Sequence, residues 1–493
     1  MSEWESPPGS GVTVNLSLIS HTNVGKTTLT RTLLGRDVGE VRDAAHVTDI
    51  ATGYVLVQSG EDTLMLWDTP GFGDTARLLQ RLKMVGNPIG WLLTQVWDRW
   101  RERPLWSSQQ AVKNAREQAD VILYLVNAAE DPAAAPYVAL EMEVLAWIGK
   151  PVVVLLNQMG PPRDEVSAEI ARWSHVGSSG LVRSILPLDA FARCWIQEIA
   201  LLQILAPLLP DEKQRAMTDL SRRWEELNES RFVSSMNVLA AYLLRASRDR
   251  EAPGETGWQS RIAGVMTGKS GSQREASKAM GALAARLAES TAQSTDELIK
   301  LHSLSGRAAR KVLERVSDDY AHRTKTPEGA SAALGGLVSG ALGGLAADLA
   351  AGGLTLGGGM IVGAILGGLG ASGVAKGINL ARGEDGESVG WSTEFLERLT
   401  VTAVLRYLAV AHFGRGRGEW SEGEHPAFWQ PAVEAALQGQ KTDLMRLLKA
   451  APPTEDGSGA TGRLSGLLHQ ITSSVLEQLY PEQKTLPVAE PIR

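Results

Sequence analysis

Lys26 and Thr27 stand side by side behind a glycine in Ser20-His21-Thr22-Asn23-Val24-Gly25-Lys26-Thr27. Residues of these types at this spacing do the chemistry of a phosphate-binding loop. Successive backbone N–H groups at a helix start wrap an anion, the ammonium of Lys26 faces the β- and γ-phosphates, and the Thr27 hydroxyl is offered to magnesium. Ser20, Asn23, Val24, Gly25, Lys26, Thr27 and Thr28 are therefore candidate nucleotide contacts, and Lys26 is also the candidate catalytic cation. The usual pattern opens with Gly; Ser20 takes that place and still permits a tight turn. About forty residues further on, the apolar run from Thr63 to Trp67 ends in Asp68-Thr69-Pro70-Gly71. A carboxylate on the magnesium side is expected there, with Asp68 holding the metal through water and the Gly71 N–H meeting the γ-phosphate. Between the two motifs, the polar loop 41–50 carries Thr48, a candidate catalytic switch threonine and metal ligand. Thr52 competes with it, and so does the ordinary role of a loop threonine in a local turn.

A loop of this kind needs a strand before it and a helix after it. The run from Val12 to Ile19 supplies the strand, and a helix-like stretch opens at Thr28. Two more aliphatic, β-branched runs, Ala119 to Asn127 and Pro151 to Asn157, are separated by a helical stretch. Together they predict a doubly wound, mostly parallel α/β sheet.

Through Asn23-Val24-Gly25-Lys26-Thr27, Asp68-Thr69-Pro70-Gly71 and the strand leading to Asn157, residues 12–205 resemble the Era-like group of translation-factor-related P-loop GTPases. The resemblance implies GTP and Mg2+ as ligands. In that group the last base-reading motif is Asn-Lys-x-Asp; here it is Asn157-Gln158-Met159-Gly160, without the carboxylate that selects guanine, and Asp164 follows a few residues on. Asn157 remains a candidate base contact. Leu186-Pro187-Leu188-Asp189-Ala190 occupies the place of the second base-contacting loop, which makes Asp189 a candidate too. Phe72 stands where Ras-like relatives place the glutamine that orients the attacking water. Slow intrinsic turnover follows, or hydrolysis helped by a group from elsewhere: a second copy, an activating partner or an ion. Some Era-like GTPases use an asparagine at the position of Asn23 to hold potassium; Asn23 either does this or only braces the loop.

The 493 residues with 43% hydrophobic content suggest about three domains with real cores. The net charge of −7 argues against nucleic acid as a partner. The single cysteine, Cys194, excludes an intrachain disulfide framework and fits a reducing, cytoplasmic compartment as a buried thiol. The first residues lack a basic region before an apolar core, so no signal peptide is expected. The eight histidines show no zinc-ligand spacing.

Residues 78–106 form an insertion in the nucleotide domain that carries Trp91, Trp97, Trp100 and Trp106. It reads as a helix packed back on the protein, with a partner or membrane patch as the other reading. Beyond residue 205 the periodicity is helical: 206–328 with Leu220, Trp224 and Leu227 and then Leu283, Ala284 and Leu287, and 382–493 with Leu396, Leu399, Ala403 and Val404 and a break at Pro452 to Gly462. Between them, residues 329–381 read as a Gly-rich apolar helical hairpin. From Gly329 to Ala375 there are sixteen glycines, and the one ionisable side chain is Asp348. Small residues four apart, at Gly336, Gly340 and Gly344 and again at Gly359, Gly363 and Gly367, let helix backbones approach closely. Each arm is long enough as helix for a hydrocarbon core of about 30 Å. The hairpin therefore sits in a bilayer or packs inside protein. Its flanks, Arg323 and Lys325 before and Lys376 and Arg382 after, favour a cytoplasmic face of the inner membrane. Nearly the whole chain resembles a bacterial family of GTPases with a C-terminal helical domain of unknown function. The sequence thus predicts a Mg2+-dependent GTPase acting as a nucleotide switch, with a non-catalytic adaptor, an ATPase or a nucleotide-gated pore as alternatives.

Overall fold

The computed structural model describes residues 11–35, 50–84, 86–94, 102–158, 166–174, 176, 180–188, 194–251, 270–304, 378–383, 386–412, 429–449 and 457–480. The hairpin 329–375 lies outside them, as do Thr48, Trp97, Trp100, Gly160, Asp164 and Asp189. Among the described residues no helix is long and apolar enough to cross a membrane. The chain divides into two compact units, residues 1–229 with 412–426 and 480–493, and residues 230–411 with 427–479.

The first unit is built on a six-stranded sheet of order β2-β3-β1-β4-β5-β6, comprising β1 (Thr13–Ile19), β2 (Thr52–Ser59), β3 (Asp62–Asp68), β4 (Val121–Asn127), β5 (Val152–Asn157) and β6 (Val182–Pro187). All neighbours run parallel except the β2–β3 pair. Alternation makes this a sheet buried on both faces. Ile122, Tyr124 and Val126 of β4 and Val152, Val154 and Leu156 of β5 enter one core. Their neighbours Val121, Leu123, Leu125, Val153 and Leu155 enter the other. A period of two with both phases apolar is what parallel strands under helices require.

The helices of this unit are α1 (Lys26–Leu34), α2 (Thr75–Leu82), α3 (Pro88–Thr94), α4 (Arg103–Glu117), α5 (Pro136–Ile148), α6 (Val166–Trp173) and α7 (Trp195–Leu205), followed by the long α8 (Asp211–Arg248). Helix α1 begins at Lys26, two residues ahead of the expected Thr28, because Gly25 caps it in a left-handed conformation. The start of α8 is fastened to the sheet by one ammonium. Lys213 Nζ donates to the Thr13 carbonyl at 2.8 Å and to both Asp120 oxygens at 2.9 and 2.8 Å. Two strands were not legible as such. The edge strand β2 is mostly half-exposed and bulged between Val55 and Val57, and edge strand β6 is also half-exposed, so neither shows a clean apolar run. The insertion resolves into α2, α3 and the start of α4, with Trp91 and Trp106 packed against the core that contains Phe72.

The second unit has α9 (Ser270–Leu301), α10 (Thr393–Ala411), α11 (Trp429–Lys449) and α12 (Gly457–Leu479) with the later part of α8. A small antiparallel sheet of β7 (Arg250–Glu251), β9 (Gly386–Trp391) and β8 (Ile378–Gly383) accompanies them. Leu283 and Leu287 are buried, as are Leu396, Leu399, Ala403 and Val404. Two expectations are corrected. Leu227 on α8 is 39% exposed while Leu220 and Trp224 are buried, so the buried stripe does not include it. The break expected at Pro452 to Gly462 is shorter, because α12 starts at Gly457. Its glycines are tolerated where the buried stripe Leu464, Leu468 and Ile471 holds the helix.

Candidate functional site

The loop Ser20 to Gly25 leaves the C-terminal end of β1 and feeds α1. Ser20 is fully buried, and its hydroxyl donates to the His21 carbonyl at 2.6 Å while accepting from Lys26 Nζ at 2.8 Å. The ammonium also reaches the His21 carbonyl at 3.2 Å. A glycine at position 20 could not make these bonds, so Ser20 is a built part of the loop. Gly25 has φ +99°, and a Cβ there would lie 2.8 Å from Asn157 Nδ2, so any side chain would be both strained and crowded. Asn23 adopts φ 65°, a left-handed conformation that asparagine tolerates, and is exposed. Val24 is buried, and its carbonyl accepts from Asn157 Nδ2 at 2.7 Å. Thr28 is buried in the first turn of α1.

Strand β3 delivers Asp68 to the same place. Thr27 Oγ1 donates to Asp68 Oδ2 at 2.6 Å, whereas Asp68 Oδ1 is buried with no hydrogen-bond partner. Burial pushes the Asp68 carboxyl up to about 6, against the Thr27 hydrogen bond and the nearby Lys26 and Arg31 charges. Burial likewise lowers the Lys26 ammonium to about 8, with Asp68 and Glu141 opposing. A hydroxyl beside a buried carboxylate with one oxygen unpaired is a donor set that fits a hard divalent cation.

The segment after Asp68 is stitched onto the loop. Thr69 Oγ1 donates to the Leu18 carbonyl at 2.5 Å, Phe72 N–H to Ser20 at 2.9 Å, and Thr22 N–H to Phe72 at 3.2 Å. Gly71 lies so close that a Cβ would sit 2.8 Å from Thr22 Cα. The Phe72 ring is fully buried in one core with Ile19, Leu78 and Leu82. Thr52, the alternative to Thr48, opens β2 as an exposed residue whose hydroxyl bonds the Ile50 carbonyl at 3.3 Å, a local turn contact. Asn157, a candidate base contact, is fully buried and donates one amide N–H to the loop. Cys194 is buried, and burial pushes its thiol up to about 12.

Ser20, Val24, Gly25, Lys26, Thr27, Asp68, Gly71 and Asn157 are therefore together. Four polar residues that the sequence analysis does not single out also meet here: His21, Thr75, Tyr124 and Glu141. His21 Nδ1 lies 2.7 Å from Glu141 Oε1, Thr75 Oγ1 donates to the same oxygen at 3.1 Å, and Tyr124 donates to Oε2 at 2.7 Å. One signal was available: Glu141 falls on the stripe Val138, Met142 and Leu145, where an acid is out of place.

Residues 15–158 match a family model described as 50S ribosome-binding GTPase, and residues 181–461, more than half of the chain, match one described as a domain of unknown function, DUF3482. Among solved structures, the chain is similar to Era in complex with MgGDPNP and part of 16S ribosomal RNA. That match has 22% identity over 41% of this chain and 58% of that one, at a TM-score of 0.30. An Aquifex aeolicus Era variant bound to GDP and AlF4− matches at 21% identity over 40% and 57%, with a TM-score of 0.30. The GMPPNP-bound NFeoB of S. thermophilus matches at 14% identity over 44% and 89%, with a TM-score of 0.20. This chain thus spans less than two thirds of the two Era chains. No curated protein matches it. The chain belongs to the DUF3482 family, with a P-loop GTPase fold, matched by the GTPase family model over residues 15–158, followed by a largely helical region of unknown function.

Proposed function

We propose that the protein binds GTP with Mg2+ in the loop Ser20 to Thr27 and hydrolyses it slowly, as a switch coupled to its helical region. The convergence of Lys26, Thr27 and Asp68, with Asp68 Oδ1 buried and unpaired, is the observation that carries this reading. Thr27 and Asp68 are the residues that would hold Mg2+, which supplies charge neutralisation to the phosphates when bound. Lys26 adds the side-chain cation, and Gly25 and Gly71 let backbone approach the anion closely. Thr48 is assigned the switch role and Asp189 a base contact on sequence grounds. With Gly160 in place of a carboxylate, guanine preference is weaker than in relatives that keep Asn-Lys-x-Asp.

Phe72, buried in the core at the place of the water-orienting glutamine, supports slow turnover. It also favours the second reading, a non-catalytic adaptor. Asn23, exposed at the crest of the loop, is the residue that would hold potassium. Single-turnover hydrolysis with Mg2+ separates these readings. GTP is expected to be consumed on the order of 10⁻⁴ to 10⁻² s⁻¹, faster in potassium than in sodium at equal ionic strength, with the potassium effect lost in Asn23→Ala. Equal rates in the two salts would remove potassium, and no product in either would leave the adaptor.

The charge-poor segment 329–375 supports association with the cytoplasmic face of the inner membrane, and the net charge of −7 supports partners other than nucleic acid. Deleting 329–375 is expected to move the protein from the membrane pellet to the high-speed supernatant. Full-length protein in the supernatant without detergent would overturn that part.

A further inference from the structure

Glu141 is a carboxylate with no solvent exposure, on the apolar face of α5, and its acceptors are filled from three different elements. Burying such a group is costly unless each oxygen is paired. Here Oε2 takes the Tyr124 hydroxyl from β4 at 2.7 Å. Oε1 takes two donors, His21 Nδ1 at 2.7 Å and Thr75 Oγ1 at 3.1 Å; the Gly73 carbonyl is the longer alternative for Thr75, at 3.4 Å. With Glu141 ionised, the Nδ1 proton of His21 is fixed on that side of the ring. The ring is further held by stacking on Tyr137 at a centroid distance of 4.4 Å, and the Tyr137 hydroxyl is tied to Glu130 at 2.7 Å.

What matters is where the two Oε1 donors sit. His21 is the second residue of the phosphate-binding loop, and its carbonyl receives the Lys26 ammonium. Thr75 is the first residue of α2, the helix entered directly after Asp68 to Gly71. A single oxygen atom therefore joins the element that holds phosphate to the element expected to respond to it. The negative charge of Glu141 also favours the protonated form of Lys26 from behind the loop.

We propose that Glu141 is a positioning residue that couples the phosphate-binding loop to α2, so that nucleotide at Lys26 orders the first turn of α2 through Glu141 Oε1. This rests on the nucleotide-binding reading above. Tight coupling of this kind changes affinities by about 5- to 150-fold in other systems and is shown by non-additivity, not by proximity.

The test uses full-length protein and three variants that keep shape. Thr75→Val removes the hydroxyl, His21→Phe keeps the ring on Tyr137 but removes the donor, and Glu141→Gln removes the charge. Measured quantities are GTP affinity, single-turnover rate, and protection of backbone amides 75–82 from hydrogen exchange on adding a non-hydrolysable GTP analogue. Thr75→Val is expected to bind GTP within about twofold of wild type, to turn over about tenfold more slowly, and to lose the analogue-induced protection of α2. The double variant His21→Phe/Thr75→Val is expected to be no slower than the slower single variant. Rate effects that multiply, or α2 protection that persists in Thr75→Val, would overturn the coupling. If Glu141→Gln does not fold, the His21 and Thr75 pair decides alone. A wild-type chain that binds no GTP would overturn the parent reading and this coupling together, whereas binding with additive variants would overturn the coupling only.

Discussion

Lys26→Ala is expected to lose triphosphate binding by a factor of about 30 to several thousand, the equivalent of about 2–5 kcal/mol for removing one partner of a buried charged contact. The size follows from burial. Lys26 is 7% exposed and its ammonium is held by Ser20 and His21, so a phosphate at the loop would meet it away from bulk water. The same burial makes the charge a liability without ligand, as the lowering to about 8 records. For a base whose folded pKa lies below its unfolded value, the cost is fully present below about 8 and relieved as pH rises towards 10.5. Lys26→Met, which keeps most of the aliphatic stem, is therefore expected to unfold at no lower temperature than wild type at pH 7 without nucleotide. Thermal unfolding with and without GTP checks both parts: wild type is stabilised by GTP and the Lys26 variants are not. Equal stabilisation of Lys26→Ala would remove Lys26 from the site.

The second large effect is expected at Asp68. Holding that carboxyl at about 6 instead of its ordinary 3.8 means that its charged form costs about 3 kcal/mol more in the fold than in water. A divalent cation beside Thr27 would offset that cost, which is why a buried carboxylate with a free oxygen is useful here. Asp68→Asn keeps the shape and an acceptor for Thr27 but removes the charge. It is expected to reduce Mg2+-dependent turnover by about 10²- to 10³-fold, as loss of a group stabilising developing charge does elsewhere. Nucleotide affinity in this variant should become nearly indifferent to Mg2+. A Mg2+ titration of GTP affinity and rate in both proteins checks this, and an unchanged Mg2+ response in Asp68→Asn would show that the metal is held elsewhere.

The parts of the fold that were legible in the sequence are those where one physical cause dominates. Strands β4 and β5 are buried on both faces, so apart from Tyr124 and the terminal Asn127 and Asn157 every residue is aliphatic and the run is unmistakable. The loop Ser20 to Thr27 is dictated by phosphate chemistry, and its residues converge with Asp68 across the parallel β1–β3 pair. Strand β2 was lost because an edge strand with a bulge mixes exposed and buried positions. Phe72 was legible as the wrong residue for orienting water; that its ring belongs to the core is a tertiary fact no local pattern carries. Of the Glu141 cluster only the acid on the apolar stripe of α5 was legible, because its members are separated by up to 120 residues and meet only when α5 lies against β4, the loop and α2. Asn157 shows a further limit, since its motif position suggests contact with a base but does not reveal that its amide also braces Val24.

Equilibrium competition between GTP and ATP for the wild-type chain, with Mg2+ present and absent, addresses the central claim most directly. One site per chain, filled by GTP more tightly than by ATP and tightened by Mg2+, is the predicted result. Failure of both nucleotides to bind, or tighter binding of ATP, would contradict it.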